Sequence, residues 1–263
     1  MTHKKDSTEY LKRKSFYDQL ITIYGRKPVL EILKDTSLEI YRLHLADSNR
    51  SGGIIDEIKQ LASRRNIETL FHSREKLAHI SRNSKQDQGV ACDIHCPGYQ
   101  PYENAFTQTG STEQCSLIAL DGVTNPQNLG MIIRSVTASP LHGLLLPRKG
   151  CADLSSLAIK ASAGTLFKGT IFRCDSLPPA LKEFKQHGYE ICTLSSHNAT
   201  SITDFNPKSP MIYVLGNETE GVSTQVEKLS DHRIGIPMMN GVESLNVAVT
   251  ASLIAFNRTV IDL

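Results

Sequence analysis

Residues 115–134 read CSLIALDGVTNPQNLGMIIR. Cys115 to Leu120 form a short apolar run of strand length. Gly122 and Pro126 then break any regular structure, and an apolar helical pattern follows through Met131, Ile132 and Ile133 to Arg134. The same order recurs downstream. LHGLLLP (141–147), YEICTL (189–194) and MIYVLG (211–216) are further apolar strands, while SSLAIKASAGTLF (155–167) and PPALKEFKQHG (178–188) are helical candidates. Strands alternating with helices predict an α/β domain with a mainly parallel sheet covered by helices. In such a domain the functional loops sit at the carboxyl ends of the strands.

Upstream, CPGYQPYENAFTQTGSTEQ (96–114) mixes Pro, Gly, Thr, Gln and Ser without periodicity and reads as a linker. Before it lies a small α/β unit. GRKPVLEILKD (25–35) places Val29, Ile32 and Leu33 at helical spacing, and YRLHLA (41–46) is a short strand. GGIIDEIKQLASRRN (52–66) is a second helix with an expected stripe of Ile54, Ile58, Leu61 and Ala62. IETLF (67–71) and GVACDI (89–94) supply two more strands. The expected division is a basic arm at 1–20, a small domain at 21–96, a linker at 97–112 and a larger domain at 113–263.

The whole chain of 263 residues is 40% hydrophobic and 21% charged, which excludes collagen, coiled coil and wholesale disorder. Its net charge of +2 hides an asymmetry: residues 1–99 carry 17 Lys and Arg against 13 Asp and Glu, and the remainder carries 12 against 14. A basic front part suits a polyanion, or is simply a solvated surface. The opening MTHKKDSTEYLKRKS has no apolar core of a leader, and no uninterrupted apolar stretch is long enough to span a bilayer, so a cytoplasmic protein is expected. Six cysteines are too few for a disulfide scaffold, and Cys92 and Cys96 have no matching second pair, so no metal site is expected.

Three polar islands follow strands in the larger domain. The first is DGVTNPQNLGMIIRS (121–135), where Asn128 and Arg134 flank Gly130 near a helix start, suited to an anionic or hydroxyl-bearing substrate or to an Asx turn with a surface arginine. The second is VLGNETEGVS (214–223), with Gly216 and Gly221 around Glu218. The third, RIGIPMMNGVESLNVAV (233–249), leads into a terminal helix with Leu245, Val249, Leu253 and Phe256 as its expected packing face and Ser244 as its expected cap. No GxGxxG follows a strand and no GxxxxGK[ST] occurs, which removes the main support for dinucleotide or nucleoside-triphosphate binding.

Taken in order, Asn128-Leu-Gly130 through Arg134, Leu215-Gly216-Asn217-Glu218-Thr219-Glu220-Gly221, and Ile236-Pro237-Met238 with Ser244-Leu245-Asn246-Val247 resemble the three motifs of the SpoU-type, or TrmH-like, RNA 2'-O-ribose methyltransferases of the SPOUT superfamily. AIKASAG (158–164) matches a further segment between the first two. Residues 21–96 resemble the ribosomal-protein-like RNA-binding domain of one branch, close to the bacterial 23S rRNA guanosine 2'-O-methyltransferases. A departure lies at Asp87, where many relatives carry His before Gln-Gly-Val-Ala; an acid there would weaken contact with phosphate.

The resemblance implies a deep trefoil knot in the C-terminal sheet, a homodimer, S-adenosylmethionine as cofactor, and RNA as partner: 23S rRNA or an assembling large ribosomal subunit, with tRNA as the alternative. A noncatalytic RNA-binding or ribosome-assembly protein is the reading from another class. The implied catalytic residues are Arg134, Asn128, Glu218, Ser244 and Asn246, with Glu218 expected to orient Arg134. The implied cofactor contacts are Thr193, Leu194, Ser195, Leu215, Gly216, Asn217, Gly221, Ile236, Met238, Leu245 and Asn246.

Overall fold

Apolar residues at period two and at period 3.6 sort the chain into elements, and the computed structural model describes them for residues 16–17, 19–108, 115–195 and 199–261. They divide into two compact units, Met1–Pro97 and Gly98–Leu263. Most of the expected basic arm, residues 1–15, lies outside the described residues.

In the first unit, β1 (Leu20–Tyr24), α1 (Arg26–Lys34), β2 (Ile40–Ala46), α2 (Ile54–Arg64), β3 (Glu68–His72), α3 (Arg74–Ser81) and β4 (Val90–His95) follow one another. The sheet order is β1-β4-β2-β3; β4 runs antiparallel to β1 and β2, and β2 and β3 are parallel. Helix α1 buries Val29, Ile32 and Leu33 as its spacing predicts. Helix α2 buries Ile55, Ile58 and Ala62, leaving the expected Ile54 half-buried. Two adjacent isoleucines satisfy the same period, and packing chooses between them. Helix α3, which the apolar pattern did not reveal, is capped by Ser73 and buries Leu77.

One sheet face carries a polar ladder. The Thr22 hydroxyl donates to Asp93 Oδ1 at 2.7 Å, Asp93 Oδ2 meets His44 Nε2 at 2.9 Å, and His44 Nδ1 meets His72 Nε2 at 3.0 Å. One residue comes from each strand, and both histidines are buried. Asp87 is also buried: its carboxylate accepts from the Ser81 hydroxyl at 3.0 Å and from the Gly89 amide at 2.9 Å. Asp87 thus braces the turn, with both carboxylate oxygens engaged by the protein itself.

The second unit contains β5 (Tyr99–Pro101), α4 (Ala105–Gln108), β6 (Ser116–Leu120), α5 (Pro126–Ala138), β7 (Gly143–Pro147), α6 (Ser156–Ala161), β8 (Ile171–Cys174), α7 (Leu177–Gln186), β9 (Glu190–Leu194), β10 (Thr200–Ser201), β11 (Met211–Leu215), α8 (Thr224–Glu227), β12 (His232–Gly235) and α9 (Val247–Ile261). The sheet order is β10-β12-β9-β11-β6-β7-β8-β5, with every pairing parallel. The expected α/β class and mainly parallel sheet are thus present. The linker expectation needs correction over 97–108, since residues 109–112 lie outside the described residues: Tyr99–Pro101 extends the sheet beside β8, and Ala105 and Phe106 pack into the core with Phe184. Its polar composition concealed an edge strand because only one residue in two has to be apolar there.

Helix α7 buries Leu177, Ala180, Leu181 and Phe184 on one sheet face, and each large side chain so buried contributes about 1.5–3 kcal/mol. Helix α5 touches α6 at Gly130, where an added Cβ would sit 2.3 Å from the Ala158 carbonyl oxygen. The glycine of the first island is thus a packing requirement, and AIKASAG is what it packs against. The segment 155–167 is not one helix: α6 stops at Ala161, and Ala163 and Gly164 adopt positive φ of 50° and 79° before a single 3-10 turn.

Helix α9 corrects another expectation. Its buried residues are Val247, Ala248, Ala251, Ile254 and Ala255, whereas Leu245, Val249 and Leu253 remain 37%, 47% and 44% exposed. Both faces are apolar, so periodicity alone does not choose; the alanine-rich face wins because it admits a close neighbour. Among the described residues no helix is long and apolar enough to cross a membrane.

Candidate active site

The chain winds outward from β6 in one direction through β7 and β8, then returns to the other side with β9 and β11. The carboxyl ends of β6 and β11 therefore flank a topological switch point, where loops part and leave a crevice. The first and second islands are those two loops. They are tied together: the Asp121 amide donates to the Leu215 carbonyl at 2.8 Å, Asn217 Nδ2 donates to the Gly122 carbonyl at 2.9 Å, and the Ser223 amide donates to Asp121 Oδ2 at 2.6 Å.

Asn125 starts α5. Its Oδ1 accepts from the Gln127 amide at 2.8 Å, with Pro126 at the first helical position, a pairing typical of helix N-termini. The Asn-Pro signal was present in the sequence, but the helix was expected to begin only beyond Gly130. The earlier start places Asn128 in the first turn, where its side chain is buried.

The three islands meet at Asn128. Its Nδ2 donates to Glu218 Oε1 at 2.5 Å, and its Oδ1 accepts from Asn246 Nδ2 at 3.2 Å. Asn246 Nδ2 also reaches Glu218 Oε1 at 3.1 Å. Asn246 caps α9 at the same time, since its Oδ1 accepts from the Ala248 amide at 2.9 Å. Ser244, the expected cap, is exposed and makes no hydrogen bond among the described residues. Two neutral amides thus hold one carboxylate oxygen of Glu218, leaving its other oxygen without a protein partner among the described residues.

Arg134 stands elsewhere. Six residues beyond Asn128 on one helix is about 120° away around the axis, and Arg134 is exposed with no ion pair among the described residues. Glu218 therefore does not orient it within this chain, contrary to expectation. Arg134 shares its side of α5 with Met131 and Ser135, and the Ser135 hydroxyl lies 2.8 Å from that of Ser252 on α9.

Of the residues expected around a cofactor, Leu194 ends β9 and Ser195 follows it, Leu215 ends β11 and Gly216 follows it, and Ile236 follows β12. These three strands are neighbours, so their exits form one rim. The loop from Gly216 closes tightly on itself: Asn217 and Gly221 exchange backbone hydrogen bonds at 2.9 Å, and a Cβ on Gly216 would lie 2.1 Å from the Gly221 carbonyl carbon. Ile236 and Met238 are half-buried, and Leu245 is more open. Thr193 is different: its hydroxyl is buried against Ser230 at 2.8 Å, so its side chain braces the fold. Asn217 likewise uses both ends of its amide inside the loops, accepting from the Thr219 amide at 2.8 Å as it donates to Gly122.

A family model described as the SpoU rRNA Methylase family matches residues 116–256. A second, described as RNA 2'-O ribose methyltransferase substrate binding, matches residues 22–100. An uncharacterised tRNA/rRNA methyltransferase of Mycobacterium ulcerans is 30% identical over 237 residues, covering 90% of this chain and 76% of the relative. The crystal structure of an AdoMet-bound rRNA methyltransferase from Sinorhizobium meliloti shares the fold, with a TM-score of 0.60 and 20% identity over 98% of this chain and 92% of that one. A structure described by 2-OH methylation of C/U34 on tRNA, 24% identical with a TM-score of 0.50, covers 57% of this chain and 98% of its own.

Proposed function

The chain belongs to the SpoU rRNA methylase family, and from that membership we propose that it methylates 23S rRNA, either free or within an assembling large ribosomal subunit. It is an S-adenosylmethionine-dependent RNA 2'-O-ribose methyltransferase of the SpoU/TrmH type. The observation that carries the substrate reading is the extent of the likeness. The rRNA methyltransferase of Sinorhizobium meliloti is similar across both units, whereas the tRNA-methylating structure matches little more than half of this chain.

The rim formed by the exits of β9, β11 and β12 fits a nucleoside: closely packed backbone supplies polar groups, and Ile236, Met238 and Leu245 supply apolar surface for a base. In this reading Leu194, Ser195, Leu215, Gly216, Asn217, Gly221, Ile236, Met238, Leu245 and Asn246 hold the cofactor, with Thr193 supporting from behind and Asn217 contributing through its backbone. Bound there, S-adenosylmethionine supplies an electrophilic methyl group on a sulfonium whose leaving group is a neutral thioether. The protein's task is then to orient the ribose 2'-hydroxyl, ease loss of its proton and stabilise the charge that develops on oxygen. Glu218, fixed by Asn128 and Asn246, presents its remaining carboxylate oxygen as an acceptor that orients a ribose hydroxyl. Arg134 stabilises the developing alkoxide or the adjacent phosphate, because a guanidinium offers hydrogen-bond donors and no acceptor for a proton. Ser244, exposed beside Asn246, is left to touch the ribose.

A homodimer and the trefoil knot belong to the same reading. Support for the dimer comes from the adjoining exposed apolar residues Met131, Val249 and Leu253 on α5 and α9, which a second copy would cover, with Arg134 beside them. The knot is supported by the return of the segment after β12 to the switch point, where Asn246 meets Asn128. An RNA substrate of this kind places the enzyme in the cytoplasm. Mass-spectrometric mapping of ribose methylation in RNA from cells lacking the protein tests the substrate: a site vanishes from 23S rRNA. Loss from tRNA with intact rRNA overturns the choice.

A further inference from the structure

Strands β1, β2 and β3 run in one direction and β4 runs against them, so four loops gather at a single edge of the first unit: 25–27, 47–53, 73–76 and 82–89. Cations accumulate there. Arg26 and Lys27 follow β1, Arg50 follows β2, Arg74 and Lys76 lie in the first turn of α3, and Arg82 and Lys85 precede β4. Lys27, Arg50, Arg74, Arg82 and Lys85 are exposed and make no side-chain hydrogen bond or ion pair among the described residues. The carboxylates at this edge are Asp47, Asp56, Glu57 and Glu75, of which Glu57 is taken up by Lys34, while Asp87 is turned inward onto Ser81 and Gly89.

At the opposite edge the cations are mostly engaged. Arg65 donates to the carbonyls of Leu33, Asp35 and Leu38 at 2.6 to 3.0 Å, Lys34 pairs with Glu57 at 2.8 Å, and Arg42 pairs with Glu68 at 2.7 Å. Arg64 is the exposed cation there without such a partner among the described residues.

The loops at the basic edge are braced against one another. Arg26 Nε donates to the Gln88 carbonyl at 3.2 Å and its Nη2 to Asn49 Oδ1 at 3.3 Å, while Asn49 Nδ2 donates to the Gly89 carbonyl at 2.6 Å. Gly89 has φ of 76°, and a Cβ there would fall 2.7 Å from Asn49 Oδ1, so only glycine lets the two loops close this far. Asn83 reaches across to the Tyr24 hydroxyl at 3.0 Å. Held loops lose less conformational freedom when a ligand arrives. The four loops contain no Phe, Tyr or Trp. Single-stranded RNA is usually gripped by stacking its bases on rings, whereas helical RNA is gripped through its phosphates and 2'-hydroxyls.

We propose that this edge is the docking surface for the sugar-phosphate backbone of a helical RNA segment, with Lys27, Arg50, Arg74, Arg82 and Lys85 as phosphate contacts and Arg26 as the brace that holds their loops. The inference rests on the reading of the chain as an RNA methyltransferase and adds where, and by what chemistry, the substrate is held. Binding is independent of base sequence and is set by the spacing of phosphates.

The test uses the full chain and two labelled probes, a stable RNA hairpin and an oligouridine of equal length, across a salt series. Arg50→Glu, Arg74→Glu and Lys85→Glu each weaken hairpin binding about tenfold, and each lost contact lowers the slope of log affinity against log salt by about 0.7–0.9. Arg64→Glu, at the other edge, leaves both quantities unchanged. S-adenosylmethionine affinity and thermal midpoint, measured on every variant, stay at the wild-type values, which separates a lost contact from a lost fold. Unchanged hairpin affinity in the triple variant, or an equal loss in Arg64→Glu, overturns the proposal; oligouridine bound as tightly as the hairpin overturns the helical choice. If the wild type binds the hairpin through these cations yet transfers methyl groups to no cellular RNA, the surface stands and the enzymatic reading falls. If it methylates RNA and the triple variant does so with unchanged KM, the surface falls and the enzymatic reading stands.

Discussion

Two polar networks join distant parts of this chain, and they differ in what surrounds them. The ladder Thr22–Asp93–His44–His72 crosses the four strands of the first unit with both histidines buried. The junction Asn128–Glu218–Asn246 links three loops at the strand exits of the second unit and leaves Glu218 exposed. In the ladder each member answers another, which satisfies the sheet and fixes its register. In the junction one carboxylate oxygen remains for something outside the protein. The proposed function accordingly places its chemistry at the unanswered group at a strand exit, not where polar residues are densest.

The widest separation between the two regions is expected from Arg134. Arg134→Ala lowers single-turnover methyl transfer by about 100- to 1000-fold, the scale of losing one donor to a developing oxyanion, while S-adenosylmethionine affinity measured by calorimetry is nearly unchanged. Near-normal turnover removes Arg134 from the mechanism.

A matched pair comes next. Glu218→Ala reduces methyl transfer about tenfold or more with little change in the denaturation midpoint, because its partners Asn128 and Asn246 retain one another. Asp93→Ala does the reverse. It strips both Thr22 and His44 of their acceptor and costs about 2–3 kcal/mol in urea denaturation, with unchanged kcat in the folded fraction. If the effects exchange places, the distinction between a structural and a functional network is wrong.

The ladder also carries a pH dependence. Burial, helped by the charges of His44, Lys76 and Arg42 and opposed by Asp47, holds His72 below its ordinary value of 6.5. The unfolded chain consequently takes up this proton first as pH falls. The associated stability is present in full above about pH 6.5 and is lost as the pH drops through the lower folded value. Urea midpoints of the wild type decline as the pH falls below about 6.5, and His72→Gln flattens that part of the decline. An identical slope in the variant excludes His72 as its source.

The smallest effect distinguishes the two polar residues ahead of α9. Asn246→Ala removes a cap and costs about 1 kcal/mol, whereas Ser244→Ala shifts thermal stability by less than about 0.5 kcal/mol. Equal losses return the capping role to Ser244.

Legibility in the sequence followed a physical rule. The strands CSLIAL, YEICTL and MIYVLG are uniformly apolar because both sheet faces are covered, and such runs are conspicuous. Tyr99–Pro101 was hidden because an edge strand has fewer apolar requirements, and α3 because a short helix buries few residues. The site residues Asn128, Glu218 and Asn246 stood out as polar groups at strand exits. What local pattern does not carry is their mutual bonding: the sequence offers Glu218 as a partner for Arg134, whereas helix geometry sets that residue on another side of α5 from Asn128.

By itself the sequence determined the α/β alternation, the separation of a small front unit from a larger one and the order of the three polar islands, because periodicity and turn chemistry act over a few residues. Only the tertiary structure decided which apolar face of α9 is buried, that Asp87 points inward, that Gly130 is needed against Ala158, and that residues 90 and 118 positions apart meet at Asn128. Those choices depend on neighbours brought together by the sheet order, and no local pattern encodes the identity of a neighbour so distant along the chain.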